Sequence, residues 1–193
     1  LLRALKRRGE ALASAKAGPD YIDPAYHKAA SGVDCFNLDS WAMRPELISA
    51  ISSRMTEGNK LLVVEGMMGL FDGALDGKGS SADLARTLDL PVVLVVDCAR
   101  QSHSIAALIS GFSQFRKDVL IAGVILNRVG SGRHEAMLRE AIKPLGMTVL
   151  GAIPRDEALV LPSRHLGLVQ AGEHVDLERF LDHAADVVDG RID

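Results

Sequence analysis

The sequence predicts an α/β fold: a doubly wound, mainly parallel sheet with flanking helices. Three observations carry that expectation. Residues 60–66, 91–97 and 119–127 are apolar runs of strand length, and Val92–Val96 is apolar at every position, as in strands covered on both faces. Helical patterns alternate with these runs, the order that βαβ units require. Polar or acidic residues close several runs, and ligands of such sheets sit at the carboxyl ends of the strands.

Each element has its own signal. The opening "LLRALKRRG" is helical, with cations beside the C-terminal dipole and Gly9 as a stop. It begins mid-pattern, without Met or a cap, so a fragment that has lost residues upstream is expected. "ALASAKA" (11–17) reads as a modest strand, "KLLVVEG" (60–66) as a strong one and "PVVLVVD" (91–97) as the strongest. "VLIAGVILN" (119–127) and "MTVLGAI" (147–153) continue the series. Helical stretches cover 43–57, 81–88, 102–116, 132–144 and 176–189, with Ser102 the expected cap of the third. The segment "RDEALVLPSRHLGLVQAGEHVD" has little periodicity and reads as a linker or strap.

Bulk properties narrow the function classes. At 193 residues the chain fits one domain with a sizeable core, and 48% apolar and 24% charged residues are ordinary values for a soluble protein. A net charge of −3 and the absence of a basic face argue against a nucleic-acid partner. No apolar run approaches the roughly 18 residues of a membrane span, and no signal peptide is present, so no membrane role is expected. Two cysteines, Cys35 in an expected loop and Cys98 after the strongest strand, are too few to staple the domain, which points to a reduced, cytoplasmic setting.

The strand-end rule collects the candidate chemistry. After 11–17 come Asp20, Tyr21, Asp23 and His27; after 60–64 come Glu65 and Asp72; after 91–96 comes Asp97; after 119–126 come Asn127 and Arg128. Acidic residues at strand ends suit Mg²⁺, which takes one or two carboxylates and completes its shell with water and phosphate oxygens. Asp20 and Glu65 are the candidate pair, with helix capping or turn formation as the competing reading for each. "VEGMMGLFDG" and the following "ALDGKGSS" imitate a phosphate loop but fail its pattern, G-x-x-x-x-G-K-[ST]. Gly79 stands where Ser or Thr is needed after Lys78, and Asp72 replaces the first glycine. The six histidines lack tight metal spacing, Met67 and Met68 read as loop packing, and Trp41 reads as a packing residue or as a stacking platform.

At "GPDYIDPAYH", "NLDSW", "VEGMMGLFDG", "ILNRVGSGRH" and "LPSRHLGLVQAGE" the chain resembles the cobyrinic acid a,c-diamide synthase family, which includes the hydrogenobyrinic acid enzymes. The resemblance runs in order over about residues 1–175, leaving 176–193 as a linker helix toward a further domain. It implies an ATP- and glutamine-dependent amidoligase whose N-terminal, dethiobiotin-synthetase-like domain binds ATP, Mg²⁺ and a corrin-type macrocycle. A C-terminal glutaminase domain of the same parent would supply ammonia, and a homodimer is possible. The resemblance assigns Asp20 and Glu65 to Mg²⁺, and Asp72 to the place where phosphoryl group and substrate carboxylate meet. It places Asn127 at the adenine edge with Arg128 beside it, and Tyr21, Asp23 and His27 along the macrocycle. Ser80 and Ser81 would open a helix that faces an anionic group. The family's P-loop and glutaminase domain are not among these 193 residues, so the fragment by itself is expected to be inactive. Two other readings stay open: a ParA/MinD-like P-loop ATPase switch, which needs a basic surface, and a cobyric acid synthase-type amidoligase.

Overall fold

The computed structural model describes residues 1–161, 163–164 and 167–192, which form two compact units, 1–89 with 159–186 and 90–158 with 187–193. The strand–helix alternation is present in both. In order along the chain, the first unit contains α1 (Leu2–Arg7), β1 (Leu12–Ala17), α2 (Asp23–Ser31), β2 (Cys35–Leu38), α3 (Pro45–Met55), β3 (Leu61–Glu65) and α4 (Ser81–Thr87). The second contains β4 (Val92–Asp97), α5 (Ser104–Phe115), β5 (Ile121–Val129), α6 (Gly132–Ile142) and β6 (Val149–Pro154). A short antiparallel pair, β7 (Ser163–Arg164) with β8 (Gly167–Leu168), the long α7 (Leu177–Asp189) and 3₁₀ turns at Lys143–Leu145, Glu157–Leu159 and Ala171–Glu173 complete the described elements. Part of the "LPSRHLGLVQAGE" stretch, His165 included, lies outside the described residues.

The first unit holds a three-stranded parallel sheet of order β2-β1-β3. Central β1 is buried along its whole length, and its two faces differ in kind. Ala15 and Ala17 pack with Leu38, Ile48 and Leu84 in one cluster, where the small alanines let α3 and α4 approach. Leu12, Ser14 and Lys16 alternate onto the other face, and His27 of α2 reaches Ser14 there. Beyond β1 the chain turns at Gly18, whose φ of +74° favours glycine and where an added Cβ would lie 2.9 Å from Met67 Sδ. Arg3 of α1 donates to the carbonyls of Ala29 and Ala30 and pairs with Glu178 and Asp182 of α7, tying three helices together.

In the second unit β4, β5 and β6 form another parallel sheet in that order. Ile105 and Ile109 of α5, and Leu138 and Ile142 of α6, pack on Val96, Val124 and Leu126. The expectation that the apolar β4 is covered on both faces is corrected: Val93 and Val95 are 45% and 59% exposed. As an edge strand of its sheet, β4 buries only Val96 fully.

Three further expectations change. Cys35 lies in a strand and not in a loop. Asp23–Ser31 forms a helix that the periodicity did not reveal, although Pro24 in its first turn and left-handed Gly32 at its C-cap are ordinary helix signals. Ser102 does not cap α5, which starts two residues later; its hydroxyl donates to Met137 Sδ instead.

Candidate active site

At the carboxyl end of the first unit's sheet, the β1 register fixes a row of polar side chains. Lys16 is paired in the ladder with Asn37 on one side and Glu65 on the other, and one step earlier Ser14 is paired with Cys35. Parallel neighbours point the same way, so a lysine, an amide and a carboxylate converge where the strands end. The helix that follows β1 then lays Asp23 and His27 over this row.

Lys16 is the residue that the sequence reading missed. It is 4% exposed, and its ammonium donates to Asp23 Oδ2 at 2.9 Å and to the Gly66 carbonyl at 2.8 Å, with Glu65 Oε1 at 3.6 Å. A buried lysine keeps its charge only when paired. Burial works against the ammonium, but Asp23, Glu65 and Asp20 outweigh it and hold its pKa above the ordinary lysine value.

His27 is equally committed. Its Nδ1 lies 2.7 Å from Ser14 Oγ and 3.3 Å from Cys35 Sγ, and its Nε2 lies 2.5 Å from Glu65 Oε2. Burial opposes protonation of the ring, yet Cys35 and Glu65 win and raise its pKa from 6.5 to about 9. Reciprocally, burial would raise the Glu65 pKa, but His27 and Lys16 hold it below the ordinary value. The cluster therefore gathers the carboxylates Asp20, Asp23 and Glu65 around an ammonium and an imidazolium.

Asp20 and Glu65 fit a hard cation in donor type and number. Asp20 Oδ1 accepts from the backbone N–H groups of Ile22 and Asp23 at 2.7 and 3.0 Å, and Glu65 Oε2 is held by His27. Asp20 Oδ2 and Glu65 Oε1 are the oxygens that could take an ion, the latter sharing its charge with the Lys16 ammonium at 3.6 Å. Among the described residues no group of three or more metal-binding side chains occurs, so water and phosphate would fill the other positions. Beside them Asn37 donates to the Asp20 carbonyl, while its Oδ1 is buried without a partner, the kind of orphan that a bound water satisfies.

The other expected residues distribute as follows. Asp72 Oδ2 accepts from the Gly69 N–H at 2.9 Å and so closes the loop after β3. Tyr21 is 73% exposed, as is suitable for a ligand-facing ring, and Trp41 is 69% exposed beside Gly79. Ser80 caps α4 through a reciprocal pair with Asp83 and is 1% exposed, while the Ser81 hydroxyl bridges the N–H and carbonyl of Met67. In the second unit Asn127 Oδ1 accepts from its neighbour's N–H, and Arg128 pairs with Asp97 at 2.8 Å. Arg128, inside β5, and Met68, in the loop after β3, both carry positive φ, 58° and 56°.

Parallel strands with flanking helices and polar strand ends define an α/β domain of the P-loop NTPase kind. A family model described as an AAA domain matches residues 25–163, and the chain belongs to that family. Along its whole length the chain is 84% identical to a protein of Brucella anthropi named hydrogenobyrinate a,c-diamide synthase, and 63% identical over 96% of its length to one of the same name from Rhizobium meliloti. It spans 44% and 43% of those relatives. Among solved structures, chloroplast FtsY from Physcomitrella patens superposes with a TM-score of 0.57 at 14% identity, over 94% of this chain and 58% of that one, a likeness of fold alone.

Proposed function

We infer that this chain is the nucleotide- and macrocycle-binding part of an amidoligase that converts the a and c acetate carboxylates of hydrogenobyrinic acid, or cobyrinic acid, to amides. The observation that carries the reading is the 84% identity to a hydrogenobyrinate a,c-diamide synthase over the whole chain. The polar row at the sheet's carboxyl edge supports it, because activation of a carboxylate by ATP needs charge control more than covalent chemistry.

A carboxylate is a poor acyl donor because its leaving group is oxide. Phosphorylation by ATP provides a better one, and ammonia released from glutamine by a glutaminase domain of the whole protein then displaces phosphate. Mg²⁺, held by Asp20 and Glu65, would neutralise phosphate charge when bound. Lys16 keeps a permanent positive charge at the strand ends and orients Asp23 and Glu65. Asp72 faces the meeting point of phosphoryl group and carboxylate, with Tyr21 and Asp23 toward the macrocycle. Asn127 and Arg128 would read the nucleotide base, and Ser80 sets the start of α4. The cytoplasm, with ATP and reduced thiols, is the fitting compartment.

The test uses a protein of the relatives' full length with ATP, Mg²⁺, glutamine and either macrocycle, followed by mass spectrometry of the carboxylate-to-amide conversion. Two successive amidations are expected. No amide with either macrocycle overturns the reading. Glu65→Gln should abolish ATP-dependent amidation while glutamine hydrolysis continues, and near-normal amidation by that variant removes Glu65 from the metal site.

A further inference from the structure

His27 was expected along the macrocycle, yet it is 8% exposed and protein groups occupy both ring nitrogens. It lies on one face of three strands: Ser14 of β1 and Cys35 of β2 meet Nδ1, and Glu65 of β3 meets Nε2. The Glu65 side chain is 49% exposed, so without an anchor its carboxylate would sample several rotamers. Lys16, at 3.6 Å from Oε1, attracts that oxygen without a hydrogen bond to fix it.

We propose that His27 is a positioning residue that pins Glu65 by Oε2 and thereby presents Oε1 alone to a divalent cation. Ser14 orients the ring and the ring orients the carboxylate, the outer-shell arrangement that supports metal ligands generally. The proposal rests on the reading of Glu65 as a metal ligand. It makes His27 act through Glu65 and not on the substrate.

Two amide replacements separate this role from simple packing. A glutamine amide reaches about where Nε2 lies and can still donate to Glu65. An asparagine amide reaches only about as far as Nδ1, so it can satisfy Ser14 but not Glu65. In the 193-residue chain, Mn²⁺ serves as the cation probe, followed by its EPR signal, and the Glu65 carboxylate ¹³C resonance reports the anchor directly. His27→Asn should weaken Mn²⁺ binding about tenfold, the lower end of outer-shell losses, and shift the Glu65 resonance. His27→Gln should restore both to near the wild-type values. If His27→Asn does not fold, Ser14→Ala, which loosens the ring without removing it, is expected to shift the same resonance and weaken Mn²⁺ binding. An unchanged Glu65 resonance in His27→Asn, or equal Mn²⁺ affinities in the Asn and Gln variants, overturns the proposal. Glu65→Gln binding Mn²⁺ as well as wild type overturns the metal reading instead, and the resonance still decides whether His27 holds the carboxylate.

Discussion

Replacement of Lys16 by Met keeps the apolar stem of the side chain and removes the ammonium, with its charge and its bond to the Gly66 carbonyl. In the native cluster the ammonium sits 2.9 Å from Asp23 Oδ2, a separation at which two unit charges attract by about 6 kcal/mol at an effective dielectric of about 20. Burying the ammonium costs several kcal/mol, which offsets much of that attraction. A net of about 2 kcal/mol remains, within the roughly 1.5–3 kcal/mol of a hydrogen bond to a charged group. The loss should stay below the roughly 3–5 kcal/mol of a fully buried broken pair, because the Asp23 and Glu65 side chains are 25% and 49% exposed and can rehydrate. Urea unfolding at pH 7 should therefore show a lower midpoint with an unchanged slope. A double-mutant cycle with Asp23→Asn should recover a coupling of about 1–2 kcal/mol. A Lys16→Met chain as stable as wild type, or more so, would refute the reasoning: the lysine would then be a net burden on the fold.

Two more outcomes follow from the same geometry. The folded-state pKa of His27 is raised from 6.5 to about 9, so its stabilising contribution is complete below about pH 6.5 and disappears as pH climbs through about 9. The shift corresponds to about 3 kcal/mol at most; denaturation midpoints should fall across that window, and His27→Gln should flatten the fall, whereas an equal slope in the variant argues against the assignment. Gly79→Ala places a Cβ 2.6 Å from Trp41 Cβ at a φ of +81°, and should cost about 1–3 kcal/mol with a shift in emission from Trp41, the single tryptophan. Gly18→Ala meets only the flexible tip of Met67, so its loss should be the smaller one, and a larger loss there would mean that Met67 cannot move aside.

The sheet strands with continuous apolar runs were legible by composition: β3, β4, β5 and β6 all lie where the runs are, although β3 and β4 leave several of those residues part-exposed. β2 was not, because "CFNL" is four residues with only Leu38 fully buried, too short for a period to register. The site was half legible. Asp20 and Glu65 stand at or beyond strand ends and Asn127 and Arg128 in the last residues of β5, because topology puts polar termini near that edge. Lys16 was hidden by its type, since a lysine in a strand ordinarily points to water. The only signal was alternation, with Leu12, Ser14 and Lys16 sharing one face. His27 was visible as a polar residue near a strand end, but its inward direction depends on a helix whose first turn mixes Asp23, Pro24 and Tyr26 and shows no apolar stripe.

The two unlike faces of β1 also bear on how the chain finds its pairing. Sliding β1 by one residue against β3 would turn Lys16 into the alanine layer under α3 and α4, far from Asp23, and would bury an unpaired ammonium. Asp23 stands in the next helix, but Lys16 is matched to Glu65 only after α2, β2 and α3 have intervened. Closing that long loop is slow, so a mispaired β1 would have time to form. The charge row therefore disfavours the shifted alignment: only the native one lets the lysine leave water while paired.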